Sequence, residues 1–206
     1  MGKIYRSIVI GLFGLLAISP AMANDLVTFD AGSDYQISLP NNWVEIPREV
    51  LDQYQRVVSE VSGTRKTYDY GYQLSPIKQW LQYPYILVSV VHTGKIAESE
   101  FKNHKRIESG FEKSISELEQ SASHIFSGSS HGETVYDPGI HTLWTVLSTN
   151  IQNVGKVRIL VAVKLTKYGY LHVICSTKDH EFAKYEGLYR RMVHSIRLGD
   201  KDTYAP

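Results

Sequence analysis

HTLWTVLSTNI (residues 141–151), KVRILVAVKLT (156–166), YLHVICST (170–177) and DHEFAKYEGLYRRMVHSI (179–196) form the run whose reading decides the fold. In the second segment Val157, Ile159, Val161, Val163 and Leu165 alternate with Arg158, Leu160, Ala162 and Lys164. A period of two is that of a strand, here with one wholly apolar face and one mixed face. The connections Gln152-Asn153-Val154-Gly155 and Lys167-Tyr168-Gly169 are too short for crossover helices, so the three strands are expected to pair as antiparallel hairpins. In the fourth segment Phe182, Tyr185, Leu188 or Tyr189, Met192, Val193 and Ile196 recur at helical spacing. That helix is the expected lid of the sheet, and the mixed face of Arg158 and Lys164 the expected thinner side.

Upstream, turn formers at Asp30-Ala31-Gly32-Ser33-Asp34 separate two short strands and predict an opening hairpin, with Pro40-Asn41-Asn42 a second turn and Trp43 its anchor in the core. Pro47 suits the first turn of a helix with Leu51, Tyr54, Val57, Val58 and Val61 on one stripe, and Gly63 is placed to stop it. A second helix is expected over residues 99–120, its stripe formed by Phe101, Ile107, Phe111, Ile115 and Leu118, with Gly110 a weak point inside it. Between them lies a strand at residues 86–92. Residues 127–132 read as a glycine-serine loop, and residues 134–137 as a short strand turned by Pro138-Gly139. The order predicts an α+β fold, an antiparallel sheet with helices packed on it.

The amino terminus sets the compartment. Lys3 and Arg6 precede an apolar run at residues 8–18, and Ala21-Met22-Ala23 is a small-x-small cleavage pattern. The apolar run is short of the roughly 20 residues a bilayer span requires, so residues 1–23 are expected to be a cleaved signal peptide and the protein to be periplasmic or secreted. Of 206 residues, 183 then remain as a single domain, residues 24–206, carrying 20 of the 22 basic and all 21 acidic side chains. A charge so near zero does not supply the concentrated positive field of a nucleic-acid or anionic-membrane binder. Cys175 is the only cysteine, so no internal disulfide can form, and its register with Leu171 and Val173 makes it a small buried residue.

Tyr35 to Trp43, the late antiparallel meander, and the final helix running into His194-Ser195-Ile196-Arg197 together resemble the PsbP-like fold. That superfamily includes the extrinsic PsbP subunit of photosystem II, a nuclear-import factor that binds the Ran GTPase, and exported bacterial relatives. The resemblance covers most of residues 26–198 and implies a PsbP-like α/β/α sandwich and a non-catalytic protein that acts through its surface. It carries no functional residue onto particular positions of this chain.

Chemistry-bearing patterns are few. Gly128-Ser129-Ser130-His131-Gly132 fits the nucleophile elbow of a small serine hydrolase, with Ser130 as nucleophile, but that motif needs a strand before it and a helix after it. Eight histidines contain no H-x-H pair and no i, i+4 pair, leaving only a set assembled from a distance, such as His124, His131 and His141. The acid pairs Glu98/Glu100 and Glu117/Glu119 diverge on a helix and read as solvated face. No catalytic residue, metal or cofactor is therefore expected. The best binding candidates are the aromatics Tyr68, Tyr70, Tyr72, Trp80 and Tyr83, whose side chains combine large area with a polar tip and suit a sugar or a partner strand. Alternating tyrosines at 68, 70 and 72 fall on one side if the segment is a strand, and packing beneath a helix is the competing use. The expected function is binding, to another envelope protein; a small-ligand carrier with a cavity between sheet and helix is the further alternative.

Overall fold

The computed structural model describes residues 25–63, 65, 67–103 and 105–199. The signal-peptide reading and His104 lie outside the described residues, as does the side chain of Leu118. In chain order the elements are β1 (Leu26–Asp30), β2 (Tyr35–Pro40), β3 (Trp43–Glu45), α1 (Arg48–Ser62), β4 (Tyr70–Leu74), β5 (Tyr85–His92), α2 (Glu98–Lys102), α3 (Lys105–Ser121), β6 (Phe126–His131), β7 (Val135–Asp137), β8 (Thr142–Ile151), β9 (Gly155–Thr166), β10 (Gly169–Lys178), α4 (Phe182–His194) and β11 (Arg197–Leu198).

The late meander forms as its alternation predicts, and β9 is its spine: Val161 faces Thr145 of β8 on one side and Ile174 of β10 on the other. Around it an antiparallel sheet runs β3-β4-β5-β10-β9-β8-β6, with β7 paired to the start of β8. A second, three-stranded sheet, β1-β2-β11, is made of the opening hairpin and the chain that leaves α4. The fold is α+β, with helices α1, α2 and α3 on one face of the large sheet and α4 with the small sheet on the other.

The two faces are used differently from the expectation. The closing helix lies on the mixed face, where Phe182, Tyr185, Tyr189, Met192 and Val193 join Leu160, Ala162, Leu171, Val173, Trp43 and Trp144 in the principal core. Charge at β9 is confined to its ends, so its middle still offers an apolar patch, and Ala162 leaves room for large rings. At one end the Arg158 guanidinium sits 5.3 Å from the Phe182 ring centroid and 2.8 Å from Asp179. At the other the Lys164 stem is buried and its Nζ donates to the Ile140 carbonyl at 2.9 Å. The wholly apolar face, with Val161, Val163 and Leu165, is instead covered by Phe101, Ile107 and Phe111 of α2 and α3. The principal core therefore lies on the mixed face.

Trp43 anchors the opening hairpin as expected, meeting Tyr189 edge-on at 6.3 Å. Helix α1 starts after Pro47 and stops at Gly63, whose φ of 64° is the left-handed conformation open to glycine. Of its stripe Leu51 is fully buried, while Val57 faces solvent. The expected second helix is two, α2 and α3, the first ending at Asn103. Residues 126–131 are strand rather than loop, paired with β8 across a bulge between Ser127 and Ser130 where Gly128 takes a φ of 60°. Small polar side chains at an edge offer no hydrophobic alternation, so the strand has no periodic signature.

Candidate functional site

An opening lies on the apolar face, where α2 and α3 cross the β9–β10 end of the sheet without filling it. It is a cleft of about 610 Å³. Its floor is Val163 with Tyr170 and His172, which share one face because Val163 pairs with His172 and Leu165 with Tyr170 across β9 and β10. Phe101, Ile107 and Phe111 form the helical wall, and Ile96 of the β5–α2 connection closes one end. Thr93, Lys95 and Glu100 bring polar groups to the rim. The break between α2 and α3 lets the short helix tuck Phe101 against the sheet, and Phe101 meets the Tyr136 ring edge-on at 6.4 Å. The volume is that of small-molecule sites, which are apolar clefts of roughly 300–1,000 Å³ with a few polar groups. Its predominantly apolar lining suits an apolar body.

The five aromatics singled out in the sequence do not form one surface. The strand begins only at Tyr70, so Tyr68 and Tyr72 fall on opposite sides of the sheet. Tyr68 packs with Tyr54 of α1 at 5.8 Å, and Tyr72 is buried with Phe29 and hydrogen-bonded to the Tyr35 hydroxyl at 3.0 Å. Tyr70 is half-buried, its hydroxyl 3.0 Å from both the Ala31 carbonyl and Asp34 Oδ2, and burial with that contact pushes its pKa up to about 12. Trp80 and Tyr83 are half-exposed against the α1 side. They sit in an excursion clamped by buried Gln73, whose Nε2 donates to the Gln79 carbonyl and whose Oε1 accepts from the Leu81 amide.

The chemistry-bearing patterns also find their places. Ser130 lies in β6 opposite Ser148, with no helix after it, so the nucleophile-elbow geometry is absent. Among the described residues no three of His, Cys, Asp and Glu are brought together as a metal set, His124, His131 and His141 included. Cys175 is buried in the core beside Val173, and burial drives its thiol pKa up. The acid pairs diverge, but one member of each ties a helix to a strand. Glu98 accepts from the Tyr136 hydroxyl at 2.9 Å, which lowers its pKa, and Glu119 accepts from the Ser129 amide at 2.6 Å, with the same result. Sequence pattern allowed a cavity between sheet and helix but named none of its residues, because its walls come from four separate segments. The one signal was the excess of apolar residues on the face of β9 that the closing helix does not cover.

No protein-family model matches the sequence, and no curated protein sequence is significantly similar to it. Among solved structures, the solution structure of cyanobacterial PsbP (CyanoP) from Synechocystis sp. PCC 6803 is similar with a TM-score of 0.51 at 11% identity, covering 89% of this chain and 98% of that one. The fold is PsbP-like. At that identity the likeness describes backbone architecture alone. Among the described residues no helix is long and apolar enough to cross a membrane.

Proposed function

We propose that this is an exported, non-catalytic binding protein, one domain after cleavage behind Ala23, and that it carries a small apolar-bodied ligand in the cleft between α2–α3 and the sheet. The observation that carries this reading is the cleft of about 610 Å³ with Phe101, Ile107, Phe111 and Val163 around it and a few polar groups, Thr93, Lys95, Glu100 and His172, among its lining. A ligand there buries its body against those side chains at roughly 25 cal/mol per Å² and meets Lys95, Glu100 or His172 with its polar end. The test is native mass spectrometry of protein isolated from its own envelope, beside an Ile107→Glu variant that puts a charge in the wall. Retention of a discrete small molecule by the parent and its loss from the variant is expected. A parent that retains nothing, or a variant that retains the same molecule equally, ends the reading.

A second reading, docking to another envelope protein, is favoured by the half-exposed Trp80 and Tyr83, since large rings left in part to solvent are typical anchors of interfaces. Tyr70 lies on the other face of the sheet, edge-on to Tyr35 at 5.4 Å. Tyr68 and Tyr72 then serve as packing that sets the segment's position. A photo-crosslinker at Trp80 is expected to give one discrete envelope adduct that a Tyr83→Ala change weakens; smeared or absent adducts would rule this out.

A further inference from the structure

Lys164 is 7% exposed, on the mixed face near the end of β9. Its ammonium has three protons to donate, yet its one hydrogen bond among the described residues goes to the Ile140 carbonyl at 2.9 Å. Asp137 acts on it from a distance only, being occupied by the Gly139 amide at 2.9 Å and by His194 Nε2 at 3.8 Å. A buried ammonium without a paired carboxylate is costly to keep, and desolvation does hold its pKa below the ordinary lysine value. The residue lines a cavity of about 230 Å³ together with His141, Leu165, His194 and Ile196.

That cavity does not stand alone. His194 also lines a neighbouring groove of about 400 Å³ that holds Trp144, Val135, Pro138 and Val146. There the His194 ring stacks on Trp144 at 5.9 Å and the Arg190 guanidinium lies 5.1 Å over the same indole. Four basic groups from three separate elements, Lys164, His141, His194 and Arg190, thus surround one system of spaces. The acids facing them are Asp137 and Glu133 on the groove side and Glu98, which is 3.8 Å from His141.

We propose that the two spaces form a binding site for a small organic carboxylate, whose anionic end meets Lys164 Nζ beside His194 and whose apolar body lies along Trp144, Val135 and Val146. One carboxylate supplies the charge partner and the acceptors that Lys164 lacks, and the groove beyond is apolar on one wall. A dianion such as phosphate is disfavoured by Asp137 and Glu133 and leaves the groove empty. The site lies on the opposite face of the sheet from the α2–α3 cleft, so it stands or falls independently of that reading.

Phenylacetate, 2-phenylethanol and inorganic phosphate are the probes, titrated into the protein while the Trp144 indole and the His194 ring are followed by NMR. Saturable movement of both signals is expected with phenylacetate, with affinity about tenfold lower for the uncharged alcohol, since each tenfold is 1.4 kcal/mol. Lys164→Met, of similar shape without the charge, is expected to bind phenylacetate about tenfold more weakly while binding the alcohol unchanged. Equal binding of acid and alcohol by the parent protein overturns the assignment, as does a folded Lys164→Met that binds phenylacetate undiminished, a response to phosphate alone, or no response to any probe. The acid–alcohol comparison needs no variant and so decides the matter even if Lys164→Met fails to fold.

Discussion

Tyr72 and Tyr35 meet through their hydroxyls at 3.0 Å inside the principal core, a contact between residues 37 apart in sequence. Removing one hydroxyl leaves the other buried with no partner, which costs about 1–3 kcal/mol, whereas removing both is nearly neutral. Tyr72→Phe is therefore expected to destabilise and the double change Tyr35→Phe/Tyr72→Phe to recover most of the loss; a double-mutant cycle by urea unfolding reads it directly. Ser195 is a second such point. Its Oγ accepts from the Ser38 amide at 2.9 Å and donates to the Met192 carbonyl at 2.6 Å, so it extends the β2–β11 contact ahead of Arg197, where β11 begins. Ser195→Ala orphans the Ser38 amide and is expected to cost about 1–3 kcal/mol in the same assay. At this scale the burial of Trp43 and Cys175 was legible, because a large ring directly after a turn anchors it and Cys175 shares the alternation of Leu171 and Val173. That Tyr68 and Tyr72 diverge was not, since it depends on the residue at which β4 begins.

Two glycines separate elements that tolerate change from those that do not. Gly110 sits on the exposed side of α3 with nothing within 4 Å of an added Cβ, so Gly110→Ala is expected to stabilise by about 0.5–1 kcal/mol through helix propensity alone. Gly71 is where α1 presses on β4: an added Cβ would lie 3.0 Å from both Ile46 Cδ1 and Leu51 Cδ2 and 3.2 Å from Leu87 Cδ2. Gly71→Ala is expected to lose about 1–3 kcal/mol by overpacking. Thermal unfolding of the pair checks both signs, and a destabilised Gly110→Ala would mean that α3 is not held as described. The meander, α1 and α4 were legible as elements because their periodicity is strong. The break between α2 and α3 and the edge strand β6 were not, for neither carries an apolar repeat of its own.

Across the whole molecule the core is rich in tyrosine, and this sets its response to alkali. Burial raises the pKa of Tyr35, Tyr68, Tyr72, Tyr85 and Tyr189 above the unfolded value near 10. A raised folded pKa means that the native state holds its protons longer than the unfolded chain does. The contribution is fully present below about pH 10 and is lost as pH rises above it. The melting temperature is expected to stay level up to about pH 9 and then to fall steeply, with tyrosinate absorbance appearing together with loss of structure. Tyrosinate absorbance that develops in full while the protein remains folded would contradict this core. The sequence by itself determined the antiparallel meander, the closing helix and the α+β class, because period-two and period-3.6 patterns are local and report burial directly. Only the tertiary structure decided which face each layer covers, that the small sheet and α4 take the mixed face, and that the apolar face keeps a cleft beneath α2 and α3. The reason is physical: a strand's alternation says that each face is buried, but the partner of each face is chosen by how well distant segments fill the space above it, and that fit has no local signature.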